Sequence, residues 1–276
     1  MKRTFFTLLL PLVTTLAFAQ TLQPWKLNFP AGQAYNVTNT IESKLDQQVM
    51  GQQMNITNST VTQAALSFRP AGAEGFRVEQ STTTLKLDMQ MMGQSTTFDS
   101  NNPDDMNGPI GERLRDMIGT TLEAVISTDG KITVIKGTTM PEGFSMGTGT
   151  NDSTMLAGYF VKSPGKPVQP GGSWSESAET GGTKMQVTYT YRKTENGQAH
   201  LDYEMTNSVV ETMTTNGMEI QTNIQTKGKG TLLLELATGL VLERRYEGTL
   251  TGKSEVMGME IPQEGIQKMT NILTKK

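Results

Sequence analysis

Apolar and polar side chains alternate in two similar stretches of this chain, and this alternation constrains the fold more than any other feature. Residues 34–98 and residues 199–262 each contain a strand-like run, a turn with glycine and methionine, and a second run in the same register. Because side chains two positions apart share one face of a β-strand, this pattern predicts strands with one buried face. The alternating residues after the first turn are Met54, Ile56, Asn58, Thr60, Thr62, Ala64, Leu66 and Phe68, and after the second Met218, Ile220, Thr222, Ile224, Thr226, Gly228, Gly230, Leu232 and Leu234.

Both copies continue in the same way. Each breaks at a glycine-containing loop, resumes with an apolar alternation and reaches a further Met-Gly turn, at Met92-Gly93 in one copy and Met257-Gly258 in the other. The repeat of about 65 residues is longer than that of common solenoids. The sequence therefore predicts a mainly β protein, with a curved antiparallel sheet or half-barrel built from two duplicated meanders and two or three short helices. We expect a single domain over residues 20–276.

The N-terminus has the pattern of a secretory signal peptide. Lys2 and Arg3 precede an apolar stretch, and Ala17-Phe18-Ala19 forms a small-x-small cleavage site. This pattern predicts a signal peptide over residues 1–19, with cleavage between Ala19 and Gln20. A membrane anchor would need about 20 apolar residues, which is more than this stretch provides. We therefore expect a soluble periplasmic or secreted protein without a transmembrane anchor.

Composition narrows the classes of partner and cofactor. The chain has 276 residues, a net charge of -3 and no basic cluster, so we expect no nucleic-acid partner. With 0 cysteines it can have neither a disulfide nor a lipoprotein acylation site. The hydrophobic fraction is 35%, and the abundance of Thr, Gln, Asn and Ser suits antiparallel sheets with a solvated face.

Short helices are predicted where the alternation stops. Pro109 suits a first helical position, and apolar residues follow it at helical spacing. Asn151-Asp152-Ser153 can cap a second helix. The apolar residues that follow would form a large exposed patch unless they pack against another surface. We expect these residues, Met155, Leu156, Tyr159 and Phe160, to form a lid over a ligand cavity. At the C-terminus, the spacing of Ile266, Met269, Ile272 and Leu273 favours a helix over an edge strand.

No pattern for catalysis or for a cofactor stands out. His200 is the chain's 1 histidine, so Ser-His-Asp or Cys-His chemistry would have to use it and a multi-histidine zinc site is excluded. Ser163-Pro164-Gly165-Lys166 matches S-x-x-K, but it lies in a Pro- and Gly-rich linker without the companion motifs. The acidic loop at residues 99–105 does not fit the EF-hand spacing, so we interpret it as a turn before a helix. We expect no enzyme and no cofactor.

Methionine is over-represented, with 18 residues, and many of them cluster at the predicted turns. Thioethers fill irregular cores, line adaptable ligand cavities and bind Cu(I). The sequence leaves these three roles open, although a copper site would usually recruit His or Cys as well.

The signal peptide ending in Phe18-Ala19-Gln20, the duplicated Met-Gly turns and the Thr- and Gln-rich strands resemble a family of uncharacterised exported β-rich proteins of Bacteroidota. The resemblance covers nearly the whole mature chain and implies no activity and no site residues. The organisation is also similar to that of lipoprotein-carrier half-barrel proteins, in which short helices cover a curved sheet. This similarity concerns the fold alone.

The leading hypothesis is an exported protein that binds a lipid or another hydrophobic molecule in a sheet cavity. One alternative is a structural module whose strand edges or faces contact a protein partner. The other is a hydrolase with two carboxylates that meet only in the folded chain, because such a pair leaves no local pattern.

Overall fold

The computed structural model describes residues 21–49, 51–72, 75–137, 152–180, 182–215, 218–256 and 258–276. The predicted cleavage site at Ala19 and Gln20 lies outside them. Within the described part, twelve strands form one antiparallel sheet and three short helices connect or flank them. None of these helices has the length and apolar character needed to cross a membrane.

The strands that correspond to the two copies are long, mostly of 16 to 19 residues. In the first half they are β1 (Ala34–Val49), β2 (Gln52–Pro70), β3 (Phe76–Met91), β4 (Gln94–Asp99), β5 (Thr121–Ile126) and β6 (Ile132–Lys136). In the second half they are β7 (Ser173–Thr180), β8 (Thr183–Glu195), β9 (Gln198–Thr215), β10 (Met218–Glu235), β11 (Leu240–Val256) and β12 (Met259–Lys275).

The strand order is β6-β5-β3-β2-β1-β12-β11-β10-β9-β8-β7, and β4 pairs with β3 beside β5. The sheet is open, because β6 and β7 lie at its two ends. The expectation of a mainly β fold with a curved antiparallel sheet and a few short helices is confirmed. The last strand joins the two halves, since β12 pairs with β1 on one side and with β11 on the other.

The expected C-terminal helix is wrong, and β12 is not an edge strand either. Leu273 is buried on one face of β12, whereas Ile266 and Ile272 on the other face are 47% and 37% exposed. The helical spacing therefore combined residues from both faces of a strand. Pro262 is tolerated because it lies just beyond the last β1–β12 pair, Gln47–Gln263.

The two halves use similar hairpins. β1 to β4 and β9 to β12 are each four consecutive antiparallel strands, and β1 meets β2, β3 meets β4 and β11 meets β12 at the same end of the sheet. Gly51, Gly93 and Gly258 at these positions have φ values of 77° to 78°, which glycine adopts without strain. The copies differ at their fourth strand, because β4 has 6 residues and β12 has 17.

The acidic loop ends β4 and starts the helices, as expected. The side chain of Asn102 accepts a hydrogen bond from the backbone N–H of Asp104 at 3.1 Å and caps α1 (Pro103–Met106). α2 (Pro109–Leu114) begins at the predicted proline, and Leu114 is fully buried beside Leu85 and Phe98. The second predicted helix is shorter than expected: α3 (Asp152–Ala157) contains Met155 and Leu156, whereas Tyr159 and Phe160 lie beyond its end, and Phe160 forms an isolated β-bridge with Leu240.

Most of the core lies at one end of the sheet, opposite the Met-Gly turns. We call this end the base. One cluster joins β1, β2, β3 and β5 to α3 and the N-terminal segment, and a second joins β8 to β11 to the linker after α3. The face of the sheet that carries both clusters is called the inner face below.

Candidate binding site on the inner face

The predicted lid residues lie together at the base, inside the first core cluster. Leu156, Tyr159 and Phe160 are 0%, 4% and 7% exposed. The ring of Phe160 lies 6.3 Å from that of Phe68, which is stacked on Phe29 at 4.1 Å. Met155 is half-buried, and its sulfur accepts a hydrogen bond from Gln80 at 3.6 Å. The four residues therefore pack against protein side chains at the base and close this end of the inner face.

A row of aromatic rings crosses the second half of the sheet on the inner face. Neighbouring ring centroids are 6.2 Å apart for Trp25 and Trp174, 5.3 Å for Trp174 and Tyr189, and 6.3 Å for Tyr189 and Tyr203. Tyr203 and Tyr246 follow at 6.3 Å with an angle of 19° between their planes. Strand pairing explains the row, because Trp174 is opposite Tyr189 and Tyr189 is opposite Tyr203.

Glycines of β10 and β11 make room for the last two rings. Gly230 is paired with Tyr203 on one side and Tyr246 on the other. A Cβ atom at Gly230 would lie 2.8 Å from the Tyr203 ring, and one at Gly228 would lie 2.6 Å from the Tyr246 ring. A Cβ atom at Gly248 would meet the Tyr246 hydroxyl at 2.2 Å. The rings therefore lie directly on glycine backbone, where no other residue type fits.

Polar groups without partners accompany these rings. Among the described residues, the hydroxyls of Tyr203 and Tyr246, Nε of Arg244 and Oδ1 of Asn271 are buried and make no hydrogen bond. Arg244 of β11 is paired with Asn271 of β12. The next pair on the same face of the sheet, two residues along each strand, is Tyr246 and Met269. The Arg244 guanidinium carbon lies 5.5 Å from the centre of the Tyr203 ring. Buried polar atoms are usually paired, so this cluster is unusual for a structural core.

Glu176 of β7 also lies on the inner face, in the second half of the sheet. Its Oε1 accepts a hydrogen bond from the backbone N–H of Lys162 at 2.8 Å, and Trp174 donates to the Lys162 carbonyl at 3.2 Å. Burial raises the pKa of Glu176 to about 6, although the Lys162 hydrogen bond and the charges of Lys162 and Arg244 oppose the shift. Burial likewise raises the pKa of Tyr189 and of Tyr246 to about 12. The tyrosines therefore stay neutral hydrogen-bond donors at physiological pH.

We expect Glu176→Gln to stabilise the protein at pH 8 but not at pH 4.5. Because the folded pKa of about 6 exceeds the usual 4.5, Glu176 favours folding only while protonated, and that contribution is lost as the pH rises through about 6. The shift corresponds to at most about 2 kcal/mol, less what solvent screens, so we expect a gain of about 1 kcal/mol. The amide keeps an oxygen for the Lys162 N–H. Thermal melting at both pH values measures the difference.

Glu179→Gln is the matched control, because Glu179 lies on the same strand and its side chain is 68% exposed. This substitution should change stability little at either pH. A Glu176→Gln protein that is equally destabilised at pH 4.5 and pH 8 would contradict the assignment of a buried, strained carboxylate.

An apolar strip crosses the inner face between the base and the Met-Gly turns. We define it as Leu250, Gly265, Leu45, Ile56 and Met91, which are paired in this order across β11, β12, β1, β2 and β3. Leu45, Ile56 and Leu250 are half-buried and belong to none of the core clusters identified. A Cβ atom at Gly265 would be 3.3 Å from Leu45, so that leucine lies over the glycine.

The residues considered for catalysis are not brought together. His200 is half-buried on β9 opposite Leu233 and Lys193. The hydroxyl of Ser163 accepts a hydrogen bond from the backbone N–H of Trp25 at 3.1 Å, which anchors the N-terminal segment. In the described parts of the chain, no three His, Asp or Glu side chains are grouped to hold a metal ion.

Glu176, Tyr203, Arg244 and Tyr246 were not predicted as site residues from the sequence. They lie on three different strands, β7, β9 and β11, so no local motif connects them all. Gly228 and Gly230 within an alternating run were a usable signal, because glycine inside a strand marks a close approach of other groups.

Comparison with known proteins gives a family but no activity. Residues 74–142 and 153–241 match the profile of a family of unknown function. No curated protein matches the sequence significantly.

Similar solved structures include an outer membrane channel from Pseudomonas putida F1, with 8% identity, 90% of this chain and 97% of that chain covered, and a TM-score of 0.25. The beta domain of the Bordetella autotransporter BrkA shares 9% identity, with 88% and 99% covered and a TM-score of 0.21. A putative AttH from Nitrosomonas europaea shares 9% identity, with 88% and 96% covered and a TM-score of 0.17. Similarities at this level carry no functional argument.

Proposed function

The chain belongs to DUF6263, a family of unknown function, and we propose that it is an exported protein that binds a hydrophobic ligand on the inner face of its sheet. The role is binding and not catalysis. The proposal extends the sequence-based hypothesis of a lipid-binding protein and changes where the ligand lies. The lid residues close the base, and the ligand lies on the apolar strip.

The observation that carries the proposal is the half-buried state of the strip. Leu45, Ile56 and Leu250 are aligned across neighbouring strands, on the face that forms the core elsewhere, yet they belong to no core cluster. Apolar area removed from water contributes roughly 25 cal/mol per Å². A bound acyl chain would gain this free energy by covering the strip, and the base already excludes water from one end.

Export is supported by the residue pattern of the first 19 positions. A protein outside the cytoplasm that shields an acyl chain from water suits the movement or storage of lipids in the cell envelope. We propose a periplasmic or secreted location on this ground.

Binding of a fluorescent long-chain fatty acid to the purified mature chain tests the proposal. We expect saturable binding, and we expect Leu45→Gln to weaken it at least about tenfold, because a polar amide would replace an apolar contact at the centre of the strip. Lys44→Gln is the control, since Lys44 is exposed on the opposite face of the same strand. Absence of saturable binding, or equal affinity of the Leu45→Gln and Lys44→Gln proteins, would refute a ligand on the strip.

A further inference from the structure

Three buried hydrogen-bond donors on the inner face, close to the base, have no acceptor among the described residues. They are the hydroxyls of Tyr203 and Tyr246 and Nε of Arg244. The tyrosine side chains are well enclosed, with Tyr203 2% exposed and Tyr246 4% exposed. Leaving a buried donor unsatisfied costs about 1–3 kcal/mol, and more for a charged group. A set of three such donors in neighbouring positions therefore calls for an acceptor from outside the described residues.

Arg244 also has no salt bridge among the described residues, although its side chain interacts with Tyr189 and its charge with Glu176. No carboxylate lies within 4.0 Å of its guanidinium in the part of the chain that the structure describes. Glu176 is close enough for its charge to interact with Arg244, but the Glu176 carboxylate accepts its hydrogen bond from Lys162. The neighbouring Arg245, on the opposite face of β11, is by contrast paired with Glu243. Half-buried cations are normally paired, so Arg244 has the surroundings of an anion-binding residue.

The glycines hold this donor set in place. Tyr203 and Tyr246 lie on either side of Gly230 with nearly parallel rings, and Arg244 lies over the Tyr203 ring. The rings cannot move toward the sheet, because they already contact its backbone. One guanidinium and two neutral phenols, fixed before a ligand arrives, match the acceptor oxygens of a carboxylate.

The position relative to the apolar strip indicates what the carboxylate is attached to. Arg244 is in the same cross-strand row as Asn271 and Asn39, and Leu45 of the strip is six residues further along β1. At the rise of a β-strand this separation is about 20 Å. Ile41 and Met269 lie between the two positions on the same face. The inner face thus has polar donors at one end and the apolar strip further along, with apolar Ile41 and Met269 next to the donors and a polar row, Ser43 and Gln267, before the strip.

We propose that Arg244, Tyr203 and Tyr246 bind the carboxylate head group of a long-chain fatty acid, whose tail extends past Ile41 and Met269 to the apolar strip. This inference rests on the proposed function and adds the class of ligand and its orientation.

Palmitate and hexadecanol, which share a tail and differ in the head group, test the site by isothermal titration calorimetry below the micellar concentration. We expect the wild-type protein to bind palmitate at least about tenfold more tightly than hexadecanol, and Arg244→Gln to abolish this preference by weakening palmitate binding alone. Arg245→Gln is the matched control, because it removes an adjacent exposed cation from the outer face, and it should keep the preference.

Each result has a defined meaning. If neither compound binds, the proposed function fails, and the head-group site fails with it. If both bind equally to the wild-type protein, or if Arg244→Gln keeps the preference, the head-group site is refuted while hydrophobic binding stands. Should Arg244→Gln fold poorly, Tyr246→Phe removes one donor without changing the ring, and it should reduce the preference about threefold to tenfold. An unchanged preference in Tyr246→Phe would equally refute the site.

Discussion

Replacing Thr270 by proline should unfold or severely destabilise this protein. Thr270 lies in β12 and is paired with Thr40 of β1 and with Arg245 of β11, so the position is hydrogen-bonded within the centre of the sheet. Proline removes a backbone donor and restricts φ, and it is therefore confined to strand edges and ends. We expect a loss of about 3 kcal/mol or more and a melting temperature lower by about 10 °C. Thermal unfolding followed by circular dichroism measures both.

Thr270→Ala separates the backbone effect from the side-chain effect. Alanine keeps the N–H group, and Thr270 is on the outer face of β12, so the control should cost about 1 kcal/mol or less. The contrast depends on the place of β12 between the two halves. A frayed C-terminal strand or helix would tolerate proline, and equal melting temperatures for Thr270→Pro and Thr270→Ala would contradict the central position of β12.

Replacing Gly230 by alanine should cost about 3 kcal/mol and disrupt the tyrosine pair. The added Cβ atom would lie 1.9 Å from the carbonyl oxygen of Arg245 and 2.8 Å from the Tyr203 ring. The backbone of β11 or the ring must therefore move, and overpacking of this kind typically costs 1–3 kcal/mol, occasionally more. Denaturant unfolding measures the loss, and near-ultraviolet circular dichroism reports the change in tyrosine packing.

Gly108→Ala is the control for glycine replacement in general. Gly108 precedes α2 with φ of -84°, and the nearest atom to an added Cβ is the Asp105 carbonyl oxygen at 3.4 Å. We expect an effect within about 1 kcal/mol and an unchanged near-ultraviolet spectrum. Gly230→Ala should also weaken palmitate binding, since it displaces Tyr203. If Gly230→Ala melts like Gly108→Ala with an unchanged spectrum, the close contact of Tyr203 with the backbone is wrong.

Much of the fold was predictable because its signals are local. The alternation from Met54 to Phe68 depends only on the two-residue period of a strand, and a turn such as Asp129-Gly130 needs only residues that tolerate positive φ. The helix starts at Pro109 and near Asp152 were likewise predictable from neighbouring residues. The C-terminal strand was misassigned because residues 266–273 have apolar side chains on both faces, which hides the period of two.

The candidate site was not predictable in the same way. Glu176, Tyr203 and Arg244 are brought to one part of the sheet by the successive pairing of β7 with β8, β8 with β9, β9 with β10 and β10 with β11. This order depends on hydrogen bonds between strands and not on any local motif. The sequence predicted that Met155, Leu156, Tyr159 and Phe160 act as one group, and they pack in the same core cluster. Their place at the base was fixed by packing against Phe29 and Phe68, contacts that no spacing in the sequence indicates.

The sequence by itself determined most of the strands and turns and the order in which they occur, with β12 as the exception, because each follows from the preferences of neighbouring residues. Only the tertiary structure decided that β12 pairs with both β1 and β11 and so joins the two halves of the sheet. It also decided that core side chains pack over the inner face at the base, whereas the apolar strip in the middle stays half-buried. The tertiary structure likewise decided that the hydroxyls of Tyr203 and Tyr246 and Nε of Arg244 lie near one another without hydrogen-bond partners among the described residues. These features depend on strand pairing and sheet curvature, which are properties of contacts between distant segments and not of any one segment.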